Sequence, residues 1–329
     1  MLSNKLINKI LKINSINEFN DIALEIFQYQ YKKNKIYRKY IDFNHFKVEK
    51  INHFSKIPFL PIELFKSQKI FCGIKIPEFF FESSGTSGIE KSKHYISDLT
   101  TYEQSFLNGF NYFYGNIKNY NFLALLPSYL EQKHSSLIYM IDRLIIDSNN
   151  KESGFYLYNL ENLYSKLKSL KNGNKKIILF GVTYALLDLA EKYPINISNA
   201  IIFETGGMKG RRKEMIKEEV HNQLKSAFNV SSIHGEYGMT ELFSQAYSDG
   251  GGIFKTPPWM KVLIRDTDDP YSLLGNNKSG GINVIDLANI DTCCFIATQD
   301  LGKTYNNESF EVSGRFDNSD IRGCNLMVI

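Results

Sequence analysis

Three short apolar runs, at 122–126, 177–181 and 200–204, constrain the fold more than any other feature of the sequence. Each is too short for a buried helix and suits a strand buried on both faces. Helical periodicity fills the intervals, at 135–146 and 184–193, and returns at 211–228. Strands alternating with helices define an α/β fold whose sheet is mostly parallel and flanked by helices. Upstream, 15–32 reads as a helix, with Ser15 and Glu18 as a capping box and Phe19, Ile22, Ala23, Ile26 and Phe27 on one face. Pro58 and Pro61 mark 56–61 as an extended connector. Phe79–Phe81 reads as a strand, and Tyr102, Phe106 and Phe110 form a helical stripe. Beyond Gly250 the texture turns β-rich, at 262–264, 282–287 and 294–298, so a soft boundary is expected near 250.

Charge and cysteine usage narrow the classes. A net charge of +4 over 329 residues, with Gly210–Lys213 as a short basic run, gives no footprint for nucleic acid. No stretch approaches the ~18 apolar residues of a membrane span. The N-terminal residues, broken by Asn and Lys, do not build a signal-peptide core. Cys72, Cys293, Cys294 and Cys324 lack the spacing of a metal site or a disulfide framework, and a reducing, cytoplasmic setting is expected. Cys293 and Cys294 lie in an apolar run and read as core, while Cys72 reads as structural.

The segment FESSGTSGIEKSKH, residues 81–94, follows the aromatic strand. It is not a Walker loop, because Glu90 takes the second glycine position ahead of Lys91-Ser92, where a carboxylate would repel a phosphate. Two readings remain for it. A hydroxyl-rich Ser/Gly/Thr hexapeptide is commonly a turn. Successive backbone N–H groups beside several hydroxyls also form a nest suited to an anion, with Lys91 and Lys93 adding charge.

Further along stand ETGGMKG (204–210), YGMTELFSQ (237–245), DLAN (286–289), TQDLG (298–302), GRFDNSDIRG (314–323) and RGC (322–324). In this order, with SSGTSG at 83–88, they resemble the adenylate-forming superfamily. Within it the chain looks most like the acyl-protein synthetases, the long-chain-fatty-acid–luciferin-component ligases related to phenylacetate–CoA ligase. The resemblance runs from about residue 56 to the C-terminus.

That resemblance implies roles. Ser83, Ser84, Gly85, Thr86, Ser87 and Gly88, with Lys91, would hold the β- and γ-phosphates of ATP. Gly206 and Gly207 would let the backbone approach the adenine, and Tyr237 would stack on it. Thr240 would touch the α-phosphate and Glu241 would hold Mg²⁺. Asp300 would bind the ribose hydroxyls beside Arg315. His134 follows a strand end, where parallel sheets place ligands, and would lie near the acyl carboxylate. Against these stand plainer readings: Tyr237 as a core aromatic, Asp300 as a turn residue, Arg315 paired with Asp317, and His134 as a solvent-facing loop residue.

The resemblance also implies a division of the chain. Residues 1–55 would form an N-terminal helical region and 56–315 the large domain, with 316–329 as a short tail in place of the usual C-terminal domain. Cys324 would accept the acyl group from the adenylate, its thiolate favoured by Arg322 and its reach by Gly323. A small buried residue is the alternative for Cys324. The implied activity is ATP-dependent activation of a carboxylic, typically fatty, acid, followed by acyl transfer to a cysteine thiol. The partners would be that acid and an acyl-accepting protein such as a reductase or carrier. Transfer to CoA or another acceptor with a separate partner, and a non-catalytic nucleotide- or acyl-binding module, are the competing expectations.

Overall fold

The computed structural model describes residues 2–83, 90–127, 134–206 and 215–316. It divides into two compact units. One comprises residues 1–108, 238–245 and 255–329, the other residues 109–237 and 246–254.

The second unit holds the parallel sheet. Its strands run in the order Gly154–Tyr156, Tyr120–Leu125, Lys176–Val182, Ile201–Thr205, His234–Tyr237 and Ala246–Ser248. All neighbours are parallel except the last pair, which is antiparallel. Every residue of Tyr120–Leu125 is buried, which is why its sequence shows a continuous apolar run rather than alternation. Phe180 and Phe203 of adjacent strands stack with centroids 4.4 Å apart. Helices Ser136–Asp147, Thr183–Lys192 and Lys217–Phe228 match the helical intervals. The last begins at Lys217, where Ile216 holds an extended backbone at the N-cap, and positions 211–214 of the expected helix lie outside the described residues. The edge strand Gly154–Tyr156 escapes the sequence pattern: it is three residues long and only half-buried.

The first unit contains the β-rich C-terminal part as an antiparallel sheet. Its order is Phe310–Arg315, Phe295–Thr304, Gly280–Asp286, Met260–Arg265 and Leu273–Leu274. The proline-marked connector joins it, since Leu60–Pro61 pairs in parallel with Phe295–Thr304. Gly302 is required by close approach: a Cβ there would lie 2.1 Å from the carbonyl oxygen of Glu311. A separate hairpin pairs Phe79–Glu82 with Lys93–Ile96.

Helix Ile16–Lys33 begins at the expected cap and buries the expected face. The Ser15 hydroxyl accepts from the Glu18 N–H, but the Glu18 carboxylate turns one residue further back, accepting from Asn14 N–H at 3.0 Å. Near the other end of this helix, Gln30 is fully buried. Its amide donates to the carbonyls of Asn289 and Ile290, both at 2.9 Å, and accepts from Cys294 N–H at 3.0 Å. Asn34 adds a bond to the Thr292 carbonyl at 2.8 Å. A buried amide must satisfy both ends, so these bonds fix the 289–294 turn against the N-terminal helices. Cys293 and Cys294 are buried in this turn, and burial pushes the Cys293 thiol up to about 12. No helix among the described residues is long and apolar enough to cross a membrane.

Candidate functional site

In the first unit, the chain around 240–244 is fixed at five points by groups distant in sequence. His94 and Ser92 approach from the hairpin. His94 is fully buried, and its Nδ1 donates to the Thr240 carbonyl at 2.7 Å, because a carbonyl can only accept. Its Nε2 then accepts from the Thr292 hydroxyl at 2.9 Å. Burial lowers the His94 pKa to about 4, against the opposing pull of the Thr240 carbonyl, so the ring is neutral at pH 7.

Two residues earlier, on the same side of the hairpin, the Ser92 hydroxyl favours the charged form of the Glu241 carboxylate. Glu241 is buried, which raises its pKa; the Ser92 hydroxyl, its own N–H, and the charges of Arg315 and Lys66 act in the opposite sense. Its backbone carbonyl accepts from the Asn289 amide at 2.6 Å.

Asp286 fixes the following two residues. Its carboxylate accepts from the N–H groups of Phe243 and Ser244, at 2.7 and 2.8 Å, and from the Ser244 hydroxyl at 2.5 Å. The Ser244 oxygen in turn accepts from Trp259 Nε1 at 2.9 Å. Burial raises the Asp286 pKa, and its four donated hydrogen bonds from Ser244, Phe243 and Ala288 restrain that rise. The DLAN run therefore supplies two braces, Asp286 and Asn289, for the segment that carries Thr240 and Glu241.

Ser83 and Ser92 extend the pairing of the two hairpin strands by one step. Ser83 N–H donates to the Ser92 carbonyl at 3.1 Å, and the Ser83 hydroxyl accepts from Ser92 N–H at 3.0 Å. Lys91 pairs with Glu82 at 2.9 Å. On the sheet, Asp300 and Arg315 are register partners, and Arg315 Nε meets the Asp300 carboxylate at 2.9 Å. Asp300 is buried, while most of the Arg315 side chain is exposed.

The second unit carries the remaining described candidates. Gly206 follows the strand Ile201–Thr205 with φ +73, a left-handed conformation that favours glycine, and its carbonyl accepts from Thr183 Oγ1 at 3.2 Å. Tyr237 ends its strand buried, its ring 5.9 Å from that of Phe254. Glu236 lies on the opposite sheet face, level with Tyr247 of the antiparallel neighbour. Burial pushes its carboxyl up to about 7. His134 is exposed, immediately before the Ser135 cap of helix Ser136–Asp147. Ser84, Gly85, Thr86, Ser87, Gly88, Gly207 and Cys324 lie outside the described residues.

Sequence reasoning assigned no role to His94, Ser92, Asp286, Asn289 or Glu236. DLAN was visible as a motif, but nothing in four residues reveals that its ends reach across to 241–244. A lone histidine in an alternating strand carries no signal at all.

No family model and no curated protein matches the sequence. Solved structures do match. An open conformation of 2-hydroxyisobutyryl-CoA ligase in complex with 2-HIB-AMP and CoA aligns at TM-score 0.64 and 11% identity, over 92% of this chain and 75% of that one. ATP-bound MatB from Rhodopseudomonas palustris aligns at TM-score 0.54 and 15% identity, over 72% of this chain and 47% of that one. The luciferase-like enzyme from the nonluminescent mealworm Zophobas morio aligns at TM-score 0.51 and 16% identity, over 75% and 60%. The chain thus spans about half the length of the MatB structure and has the fold that these enzymes share.

Proposed function

We propose that the chain activates a carboxylic acid with ATP, forming an acyl-adenylate and releasing pyrophosphate. The observation that carries this reading is the buried Glu241 carboxylate, whose charged form Ser92 of the hairpin and the cations Arg315 and Lys66 favour. A buried carboxyl under the influence of two cations suits a reaction whose charge develops on phosphate oxygens.

In this reading a carboxylate oxygen of the acid attacks the α-phosphorus, and the bond from that phosphorus to the bridging oxygen breaks toward pyrophosphate. Residues Ser83 to Gly88, with Lys91, hold the β- and γ-phosphates. Thr240 contacts the α-phosphate. Asp300 accepts from the ribose hydroxyls, and Arg315 orients Asp300. Gly206, Gly207 and Tyr237 take the adenine, while His134 lies near the acyl carboxylate.

No group of three or more His, Cys, Asp or Glu side chains among the described residues could hold a metal by itself. Mg²⁺ commonly uses one or two carboxylates together with substrate phosphates. Glu241 is the residue fitted to hold it, and the ion would supply charge neutralisation at the phosphates.

The finer reading concerns the acceptor. In it the Cys324 thiolate attacks the acyl carbon, AMP leaves, and a thioester passes to a partner protein; a fatty acid is the substrate class. A CoA acceptor is the second reading, favoured by the likeness to a ligase solved with CoA bound.

ATP–pyrophosphate exchange with Mg²⁺ and a panel of carboxylic acids, short to long, tests the first step. Exchange dependent on one class of acid is the expected result, and its absence with every acid would refute adenylation by this chain. A hydroxylamine-labile acyl-protein lost in Cys324→Ser supports the thiol route. Free acyl-CoA with Cys324→Ser fully active supports the other.

A further inference from the structure

Asp300 sits on an irregular stretch of the antiparallel sheet. Gly281 lies opposite Leu301, and Asn283 opposite Ala297, so two steps along one strand span four along the other. Residues 298–300 therefore bulge out of the ladder with that neighbour. On their other side pairing continues, with Asp300 opposite Arg315 and Leu301 opposite Gly314. A bulge re-aims side chains and disrupts the ladder locally, so other hydrogen bonds must hold it in one shape.

Arg265 supplies them. It ends the strand Met260–Arg265 opposite Gly281, and its side chain crosses that glycine. A Cβ on Gly281 would lie 2.5 Å from Arg265 Cζ, so the guanidinium takes the space that a side chain would need. Arg265 Nη1 donates to the Ile282 carbonyl at 2.8 Å and to Asn283 Oδ1 at 2.9 Å. Nη2 donates to the Thr298 carbonyl at 2.5 Å, on the bulge itself. The buried Thr298 hydroxyl completes the link to the candidate carboxylate residue. It donates to the same Ile282 carbonyl at 2.9 Å and accepts from Asp300 N–H at 3.1 Å. The guanidinium also lies 5.4 Å from the centre of the Phe316 ring, and Phe316 N–H donates to the Gln299 carbonyl at 2.9 Å. Arginine suits this place because its planar fork aims several donors in fixed directions, which a lysine ammonium does not.

We propose that Arg265 is a positioning residue for Asp300, holding the 298–300 bulge in the shape that presents the carboxylate to the ribose hydroxyls of ATP. It acts through Thr298 and the Asp300 backbone, without touching the nucleotide. This role rests on the reading of Asp300 as the ribose-binding group. Plain bracing of the sheet would make Arg265 matter for stability alone. Positioning Asp300 makes it matter for the ribose hydroxyls in particular.

The test is equilibrium titration of the full chain with ATP and with 2′,3′-dideoxy-ATP, both with Mg²⁺. Wild type is compared with Arg265→Met and with Arg265→Lys, which keeps the charge but not the fork. Wild type should bind ATP more tightly than the dideoxy analogue. Arg265→Met should weaken ATP by about tenfold while leaving the dideoxy analogue unchanged, so that the preference collapses; Arg265→Lys should fall between. Thermal unfolding checks that both variants fold, and if Arg265→Met does not, Arg265→Lys decides by the same comparison. A wild-type preference that survives in the variants, because ATP affinity is unchanged or both nucleotides weaken equally, overturns the role of Arg265 and spares the nucleotide reading. A wild type that binds both nucleotides alike, or neither, refutes the ribose role of Asp300, and the role of Arg265 falls with it.

Discussion

His94 Nδ1 donates to the Thr240 carbonyl at 2.7 Å while the same ring accepts from Thr292 at 2.9 Å. One imidazole therefore joins the hairpin, the Thr240–Glu241 segment and the 289–294 turn. The turn is itself fixed by Gln30 and Asn34 from the N-terminal helices. The position of Glu241 thus depends on residues more than two hundred positions apart in the chain, such as Gln30 and Asn289.

Replacing His94 by Ala should destabilise the fold by about 2–4 kcal/mol, through the lost ring and two unsatisfied buried groups. Its acid response has a definite sign. The folded pKa of about 4 lies below the ordinary 6.5, so the neutral ring's contribution is fully present above pH 6.5. It is lost as pH falls through 4, by up to about 3 kcal/mol across that window. Urea unfolding of wild type and His94→Gln between pH 4 and 7 should show this acid-linked loss in wild type only.

Asp286→Ala should cost about 3–5 kcal/mol, because it strips the acceptor from the Phe243 and Ser244 N–H groups and from the Ser244 hydroxyl in a buried place. Asp286→Asn keeps one acceptor oxygen and should cost less. Denaturant midpoints of the two variants give the order directly.

Glu236→Gln should stabilise the protein at pH 8. Burial raises the folded pKa from 4.5 to about 7, so the protonated carboxyl's contribution is complete below pH 4.5 and lost as pH rises through 7. The amide does not titrate, and its advantage at pH 8 should reach about 3 kcal/mol at most, vanishing below pH 4.5. Melting temperatures across pH 4–8 measure the divergence.

Gly302→Ala should destabilise by about 3 kcal/mol or more. The added Cβ would meet the Glu311 carbonyl oxygen at 2.1 Å, and backbone on a neighbouring strand cannot yield as a side-chain tip can. Thermal unfolding of the purified variant decides this.

Arg315→Ala should destabilise by about 1–2 kcal/mol, since its own side chain is mostly exposed but its loss leaves the buried Asp300 carboxylate without this cation. Under the proposed function it should weaken ATP binding by roughly tenfold, and Asp300→Ala by more, because the buried carboxylate is the group assigned to the ribose. Equilibrium titration with ATP separates the two effects; unchanged affinity in both variants would remove them from the nucleotide site.

Local features of the sequence carried much of the fold. The apolar runs at 122–126, 177–181 and 200–204 announce their strands because a strand buried on both faces needs apolar residues at every position. Ser15 and the face from Phe19 to Phe27 announce a helix because capping and 3.6-residue periodicity act within a few residues. The strand Phe310–Arg315 shows in the sequence only as the start of the GRFD motif. Its burial fades along its length, and its pairing with Phe295–Thr304 is what makes it a strand.

The candidate site divides in the same way. Sequence by itself marked Glu241, Asp300 and Arg315, since residue type and order were enough to resemble a known pattern. Tertiary structure alone decided that Asp300 faces Arg315 across a sheet, and that His94, Ser92, Asp286 and Asn289 hold the segment bearing Glu241. The physical reason is one of range. Capping and periodicity are local, whereas a buried polar group must find its partner wherever the folded chain provides one, and for His94 that partner lies 146 residues away.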